Sequence, residues 1–205
     1  MPSKPKKPIS HPEPPPDFST RPLPIKRIKG PWQRFYWVDK EALYFNKTNV
    51  FRFNAPQGEF GILYLGEDTY SAFIETYGWL TGERYITRKQ LEQRHLALVS
   101  ASRLLKVVDL SGKGLAMIGA DGRLCMGDEY KISRSWSLAL WKHPEKPDGI
   151  LYRTRHDPNK KAVALFDRDE VKIILSFKDM GSLLGHDNVT LLSKIMRYYK
   201  FILIP

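Results

Sequence analysis

Gly61-Ile62-Leu63-Tyr64-Leu65, then Gly66-Glu67-Asp68, then Thr69 through Tyr77 and Gly78, contains a complete supersecondary unit. The first five residues are apolar and compact, as a buried strand requires. Gly66-Glu67-Asp68 breaks the strand. Asp68 or Thr69 offers a side-chain oxygen to the free N–H groups of a following helix, and Gly78 is a natural stop. The expected unit is strand, turn, helix.

Working outward, Trp32, Phe35, Tyr36, Trp37, Tyr44, Phe45, Val50, Phe51 and Phe53 lie between turn residues and predict short strands before this unit. After it, Thr87-Arg88-Lys89-Gln90 has capping-box spacing, with Ile86 and Leu91 placed as a hydrophobic staple, which predicts a helix over 88–101. A strand is expected over 104–110, a short helical piece near 115–118, and a helix over 133–141 ended by Pro144. Residues 149–155 and 162–166 read as a strand pair across His156-Asp157-Pro158-Asn159, with 171–177 as a further strand. Leu192, Ile195, Met196 and Tyr199 follow the helical period, and Phe201-Ile202-Leu203-Ile204 covers an edge or adds a strand. The expected class is α+β, a single domain with a mixed, mostly antiparallel sheet and flanking helices.

A chain of 205 residues with 42% hydrophobic residues suits one core. Residues 1–24 include nine prolines and few large apolar groups, so 1–30 is expected to be a disordered Pro/Lys-rich tail, leaving 31–205 as the domain. That tail holds seven Lys/Arg against Glu13 and Asp17, so it carries five of the eleven net positive charges. The rest is mildly basic, which suits an anionic small molecule or an acidic partner as well as a phosphate backbone. No apolar run spans a bilayer and no signal peptide is evident, so a cytoplasmic location is expected.

Cys125 is the single cysteine, so no internal disulfide is expected, and the five histidines lack metal-ligand spacing, so no metal is expected. Gly112-Lys113-Gly114 lacks the third glycine of a dinucleotide fingerprint, and no P-loop or Gly-x-Ser-x-Gly elbow occurs.

What remains is Arg52-Phe53-Asn54-Ala55-Pro56, then Tyr64, then Glu75 eleven residues later on the helix. Taken singly, Phe53 and Tyr64 read as core aromatics, and an arginine and a glutamate as a surface ion pair. In this order and with these gaps the segment resembles the RES toxin family, named for an arginine, a glutamate and a serine. The late strand Asp148-Gly149-Ile150-Leu151-Tyr152-Arg153-Thr154-Arg155 is similar too, but Thr154 stands where the family has serine. The resemblance spans about residues 34–168, and Arg34 corresponds to an upstream family arginine.

The resemblance implies an ADP-ribosyltransferase-like fold, NAD as substrate, and a toxin role with an Xre-type helix-turn-helix antitoxin as partner. It implies cleavage of the nicotinamide–ribose bond, with Arg52, Glu75 and Thr154 as catalytic residues. Arg52, Phe53, Asn54, Tyr64, Arg34 and Arg155 would bind the substrate. The chemistry is consistent. A guanidinium grips pyrophosphate oxygens, and a fixed carboxylate stabilises an oxocarbenium-like ribose as nicotinamide leaves. Phe53 and Tyr64 would offer ring faces, and Thr154 with Arg155 would hold the attacking group. Phosphate as acceptor makes the chain an NAD phosphorylase; water makes it a glycohydrolase, and a protein side chain an ADP-ribosyltransferase. Two other classes stay open: a nucleic-acid-binding module, from the basic and aromatic residues over 28–53, and a degenerate family member kept for partner binding.

Overall fold

The computed structural model describes residues 11–79 and 82–205. In chain order the strands are β1 (Ile25–Ile28), β2 (Trp32–Trp37), β3 (Ile62–Gly66), β4 (Tyr85–Thr87), β5 (Arg94–Ala101), β6 (Leu105–Asp109), β7 (Gly149–Arg153), β8 (Lys161–Phe166), β9 (Leu175–Asp179) and β10 (Ile202–Ile204). The helices are α1 (Thr69–Tyr77), α2 (Arg88–Glu92), α3 (Gly114–Met117), α4 (Arg123–Met126), α5 (Tyr130–Lys142), α6 (Asp169–Lys172) and α7 (Val189–Tyr199). Eight strands form one sheet in the order β1-β6-β7-β8-β3-β2-β5-β9, and β4 pairs with β10 in a separate parallel ribbon. Among the described residues of the large sheet, only β6 and β7 run parallel. The fold is α+β with a mixed, mostly antiparallel sheet.

Period-2 alternation divides the core in two across this sheet. Leu63 and Leu65 of β3 join Trp32, Tyr36, Val99, Val107 and Leu165 on one face. On the other face, Ile62 and Tyr64 pack with Phe53, Tyr152, Phe166 and the α5 residues Trp136 and Leu140. Farther along that second face, Phe35 meets Phe73 and Tyr77 of α1 and Leu192 and Ile195 of α7. Glu75 sits on α1, whose buried residues belong to this last cluster.

The predicted strand-turn-helix unit is present. Asp68 accepts from Ser71 N while Ser71 Oγ closes the reciprocal bond to the Asp68 amide, a full capping box, and Gly78 ends α1. Gly66 is required at the junction. A Cβ there would lie 2.5 Å from both Ala72 N and Ser71 Oγ, so only glycine lets β3 pass this close to the first turn of α1.

Several expectations are corrected. Arg88 does start a helix with a reciprocal cap between Thr87 and Gln90, but the helix ends after five residues and Arg94–Ala101 is a strand. The strand conformation wins because this segment hydrogen-bonds on both edges, to β2 and to β9. Residues 44–53 form a looped turn, tied to β3 by the Asn46–Ile62 bridge, instead of a strand. The segment expected as a strand from Val171 begins as α6 and becomes β9 only at Leu175.

The tail is the largest correction. Residues 1–10 lie outside the described residues, but from His11 onward the segment is packed on the domain. Phe18 and Leu23 are buried, Trp136 Nε1 donates to Pro12 O at 2.8 Å, and β1 pairs with β6. Phe18, Leu23, Ile25 and Ile28 are few, but each packs against a core cluster. Together they bury enough surface to offset the ordering of a chain already stiffened by proline. Among the described residues, no helix is long and apolar enough to cross a membrane.

Candidate active site

The loop that carries Arg52 is built by its asparagines. Asn46 Oδ1 accepts from Thr48 N at 2.8 Å and Thr48 Oγ1 at 2.6 Å, and from Asn54 Nδ2 at 3.1 Å. Fully buried Asn54 also donates to Thr48 O, and its Oδ1 accepts from the Tyr64 hydroxyl at 2.9 Å. That hydroxyl accepts in turn from Phe53 N at 2.9 Å, while Ser137 Oγ donates to Phe53 O at 2.6 Å. Arg134, on α5, ties down the carbonyls of Val50 and Phe51. Burial raises the Tyr64 pKa well above its ordinary value, so the hydroxyl stays a neutral donor in this network.

Arg52 is therefore held in the wall of the molecule at 7% exposure. Its Nη1 donates to Gly127 O at 2.6 Å and its guanidinium lies 4.5 Å from the Tyr130 ring centroid, a cation–π geometry. Its Nη2 is buried with no hydrogen-bond partner. A buried charged donor without an acceptor is costly, and sites that bind anions contain such groups.

Glu75 projects from α1 and is half-buried. Its Oε1 accepts from Arg155 N at 3.0 Å and, more weakly, from His156 N at 3.5 Å. Burial raises its pKa above the usual carboxylate value; the His156 and Arg155 N–H groups, then the Arg52 and Arg155 charges, oppose that rise. The result is a fixed, desolvated carboxylate beside concentrated positive charge. A cleft of about 270 Å³ opens here, lined by Ile74, Gly78, Arg84, Arg155 and His156.

The 154–160 loop is pinned from within. Thr154 is fully buried, its Oγ1 donates to Asp157 O at 2.6 Å, and its amide donates to Lys160 O. Tyr199 OH holds the Asp157 carboxylate at 2.9 Å. Arg155 Nη2 bonds Asp128 Oδ1 at 2.5 Å, within the same 127–130 segment that covers Arg52.

Arg52, Tyr64, Glu75 and Arg155 lie near one another: Arg155 N bonds Glu75, the Arg52 charge acts on both Glu75 and Tyr64, and Asn54 behind them sets the loop. Three expected roles are corrected. The Phe53 ring is 1% exposed and packs edge-on against Tyr152, so it has no free face for a ligand. Thr154 shapes its loop through a hydroxyl already engaged with Asp157 and is sealed from the cleft. Arg34 shares the opposite sheet face with Trp32 and Tyr36 and donates to the Ala42 and Tyr44 carbonyls at 3.0 and 3.1 Å. Burial, with help from Arg94, lowers its pKa to about 10, in keeping with a structural guanidinium.

Sequence reasoning missed Tyr130, Arg84, His156 and Phe51. Tyr130 and Arg134 stand one helical turn apart, a spacing that can suggest a paired role; Arg84 and His156 come from loops and carry no local signal. Phe51 is 48% exposed and meets Tyr64 edge-on, so it offers the ring face that Phe53 lacks. The buried Cys125 thiol is pushed up to about 12, so it is not a thiolate at neutral pH. Among the described residues no group of three or more His, Cys, Asp or Glu is arranged to hold a metal ion.

Comparison with known proteins gives this geometry a context. The profile of the RES domain matches residues 25–180. The chain is 34% identical over 95 residues to "Probable toxin y4kH" of Sinorhizobium fredii (strain NBRC 101917 / NGR234), covering 46% of this chain and 72% of that protein. In fold it is similar to a chain in the crystal structure of the M. tuberculosis MbcT–MbcA toxin–antitoxin complex, with a TM-score of 0.65 at 16% identity, over 84% of this chain and 92% of that one. The chain belongs to the RES domain family.

Proposed function

We propose, from its membership of the RES domain family and the chemistry around Glu75, that this chain cleaves the nicotinamide–ribose bond of NAD with phosphate as acceptor. It does so as the cytoplasmic toxin of a toxin–antitoxin pair. The observation that carries the proposal is Glu75 itself, a desolvated carboxylate fixed by two backbone N–H groups beside Arg52, whose buried Nη2 lacks an acceptor. As the C–N bond breaks, the positively charged nicotinamide leaves as a neutral base with the bonding pair, and positive charge develops on the ribose. Glu75 stabilises that charge more than it stabilises the bound substrate, which lowers the barrier. Arg52 Nη2 takes a phosphate oxygen of NAD. Its Nη1 is committed to Gly127, so this grip is single and fixed. Phe51 and Tyr64 supply the aromatic surface for a ring. A phosphate oxygen then supplies the electron pair for the new bond to the ribose carbon; water or a protein side chain in its place would give a glycohydrolase or an ADP-ribosyltransferase.

The toxin role is supported by the names of the S. fredii relative and of the M. tuberculosis complex. The partner proposed from it is an Xre-type helix-turn-helix antitoxin that blocks the site. Purified, antitoxin-free protein should release nicotinamide from NAD in a phosphate-dependent manner, and Glu75→Gln should lower the release by about 100-fold or more. Folded wild-type protein that leaves NAD intact across a range of phosphate concentrations would sink the proposal.

A further inference from the structure

We infer that the cleft formed by Arg84, Arg155 and His156 is a second phosphoryl-anion subsite, separate from Arg52, and that it seats the inorganic phosphate acceptor; this rests on the phosphorolysis proposed above. Thr154 and Arg155 together were the expected holders of the attacking group, but Thr154 is sealed off. The polar groups that line the open space are Arg84 from the segment before β4, and Arg155 and His156 from the loop after β7. Its volume of about 270 Å³ accommodates a phosphate with attendant water.

Charge and position both select an anion. No acidic side chain lines the cleft among the described residues. Burial first, then the charges of Arg155, Arg52 and Arg84, lowers the His156 pKa, so the imidazole is a neutral donor or acceptor. Arg84 is exposed; its Nη1 bonds the neighbouring Glu83 carbonyl, and its guanidinium lies 5.7 Å from the Phe201 ring, so no carboxylate neutralises it among the described contacts. Arg155 is held by Asp128, which fixes one end of the subsite. The same residues, Arg155 and His156, hold Glu75 by their backbone N–H groups, so an anion in the cleft is adjacent to the carboxylate that faces the developing cation. In the reaction, a phosphate oxygen forms the bond to the ribose carbon as the bond to nicotinamide breaks. The leaving base takes the C–N pair and needs no proton.

Titration of inorganic phosphate into the free wild-type protein, followed by phosphorus NMR or calorimetry, tests the subsite without turnover. Arg84→Gln should weaken this binding about tenfold, the loss of one charge-assisted contact. It should raise the phosphate KM to a similar degree while the NAD KM stays within about twofold. Arg197→Gln, which removes a charge on exposed α7, should change neither. Unaltered phosphate binding in Arg84→Gln would overturn the inference, as would a rise confined to the NAD KM, which would assign the cleft to the pyrophosphate. If the wild-type protein releases no nicotinamide, the proposed activity fails, and the direct titration still decides whether the subsite exists.

Discussion

On one side of Glu75, the 46–54 loop commits Asn46, Asn54 and the Tyr64 hydroxyl to its own backbone and leaves a single buried donor, Arg52 Nη2, unsatisfied. On the other side, Arg84, Arg155 and His156 surround an open cleft. The first wall is a rigid frame with one free hand. The second is charged and accessible. A motif match finds the first kind more readily, because a loop set by asparagine, tyrosine and arginine needs fixed spacing in one stretch of chain. The second is assembled from segments some 70 residues apart, Arg84 and Arg155, and leaves no local pattern.

The sharpest way to break the contrast is at Glu75, which both walls share. Glu75→Gln should lower nicotinamide release by about 100- to 1,000-fold, the usual cost of removing a preorganised electrostatic group. The same substitution should raise thermal stability at neutral pH. Burial makes the folded-state pKa of Glu75 higher than the unfolded one, so its contribution is favourable below the unfolded value and is lost as pH rises through the folded value. The gap in Tm between variant and wild type should therefore widen from pH 4 to pH 7. A carboxylate needed in its charged form also predicts that wild-type activity falls on acidification at a pH above the ordinary glutamate range, which a pH–rate profile will reveal.

The frame itself should fail through stability. Asn54→Ala removes two donated bonds and leaves the Tyr64 hydroxyl without its acceptor, so urea denaturation should show a loss of about 2–3 kcal/mol. An unchanged midpoint would mean that the loop is held by other contacts. A smaller effect is expected at Thr154→Val, about 1 kcal/mol for the lost bond to the Asp157 carbonyl. Smallest of all, Thr154→Ser keeps that hydroxyl bond and should leave the rate of NAD cleavage within about twofold. A large gain in rate from serine would return this position to the chemistry.

Helix starts illustrate what could be read from the chain and what could not. Asp68 and Thr87 both carry complete capping boxes; the Thr87 box is visible in the sequence, whereas the sequence shows Asp68 only as a cap candidate beside Thr69. The first opens nine residues of helix and presents Glu75; the second stops after five. A cap fixes where a helix begins, but the length depends on competing partners, and Arg94–Ala101 had a strand waiting on each edge. Arg34 failed for a related reason: its side of the sheet is set by the register of β2 against its neighbours. Tyr64 and Glu75 lie on one supersecondary unit whose geometry is nearly local. Arg52 comes from the loop before it, and all three were singled out by the family resemblance, since singly they read as a core aromatic and a surface ion pair. The packing of residues 11–28 was hidden because average composition does not show which of a few apolar residues meet the core.

The ribbon of β4 and β10 gives the cleft an unexpected supervisor. Ile202 donates its amide to the Arg84 carbonyl at 2.8 Å, so the backbone that carries Arg84 is latched to the last strand. The proposed phosphate subsite is then hostage to residues far from the proposed chemistry: loosening the latch at Phe201 or Ile202 would let Arg84 drift, and any phosphate binding there would change while the carboxylate and its arginine frame stayed intact.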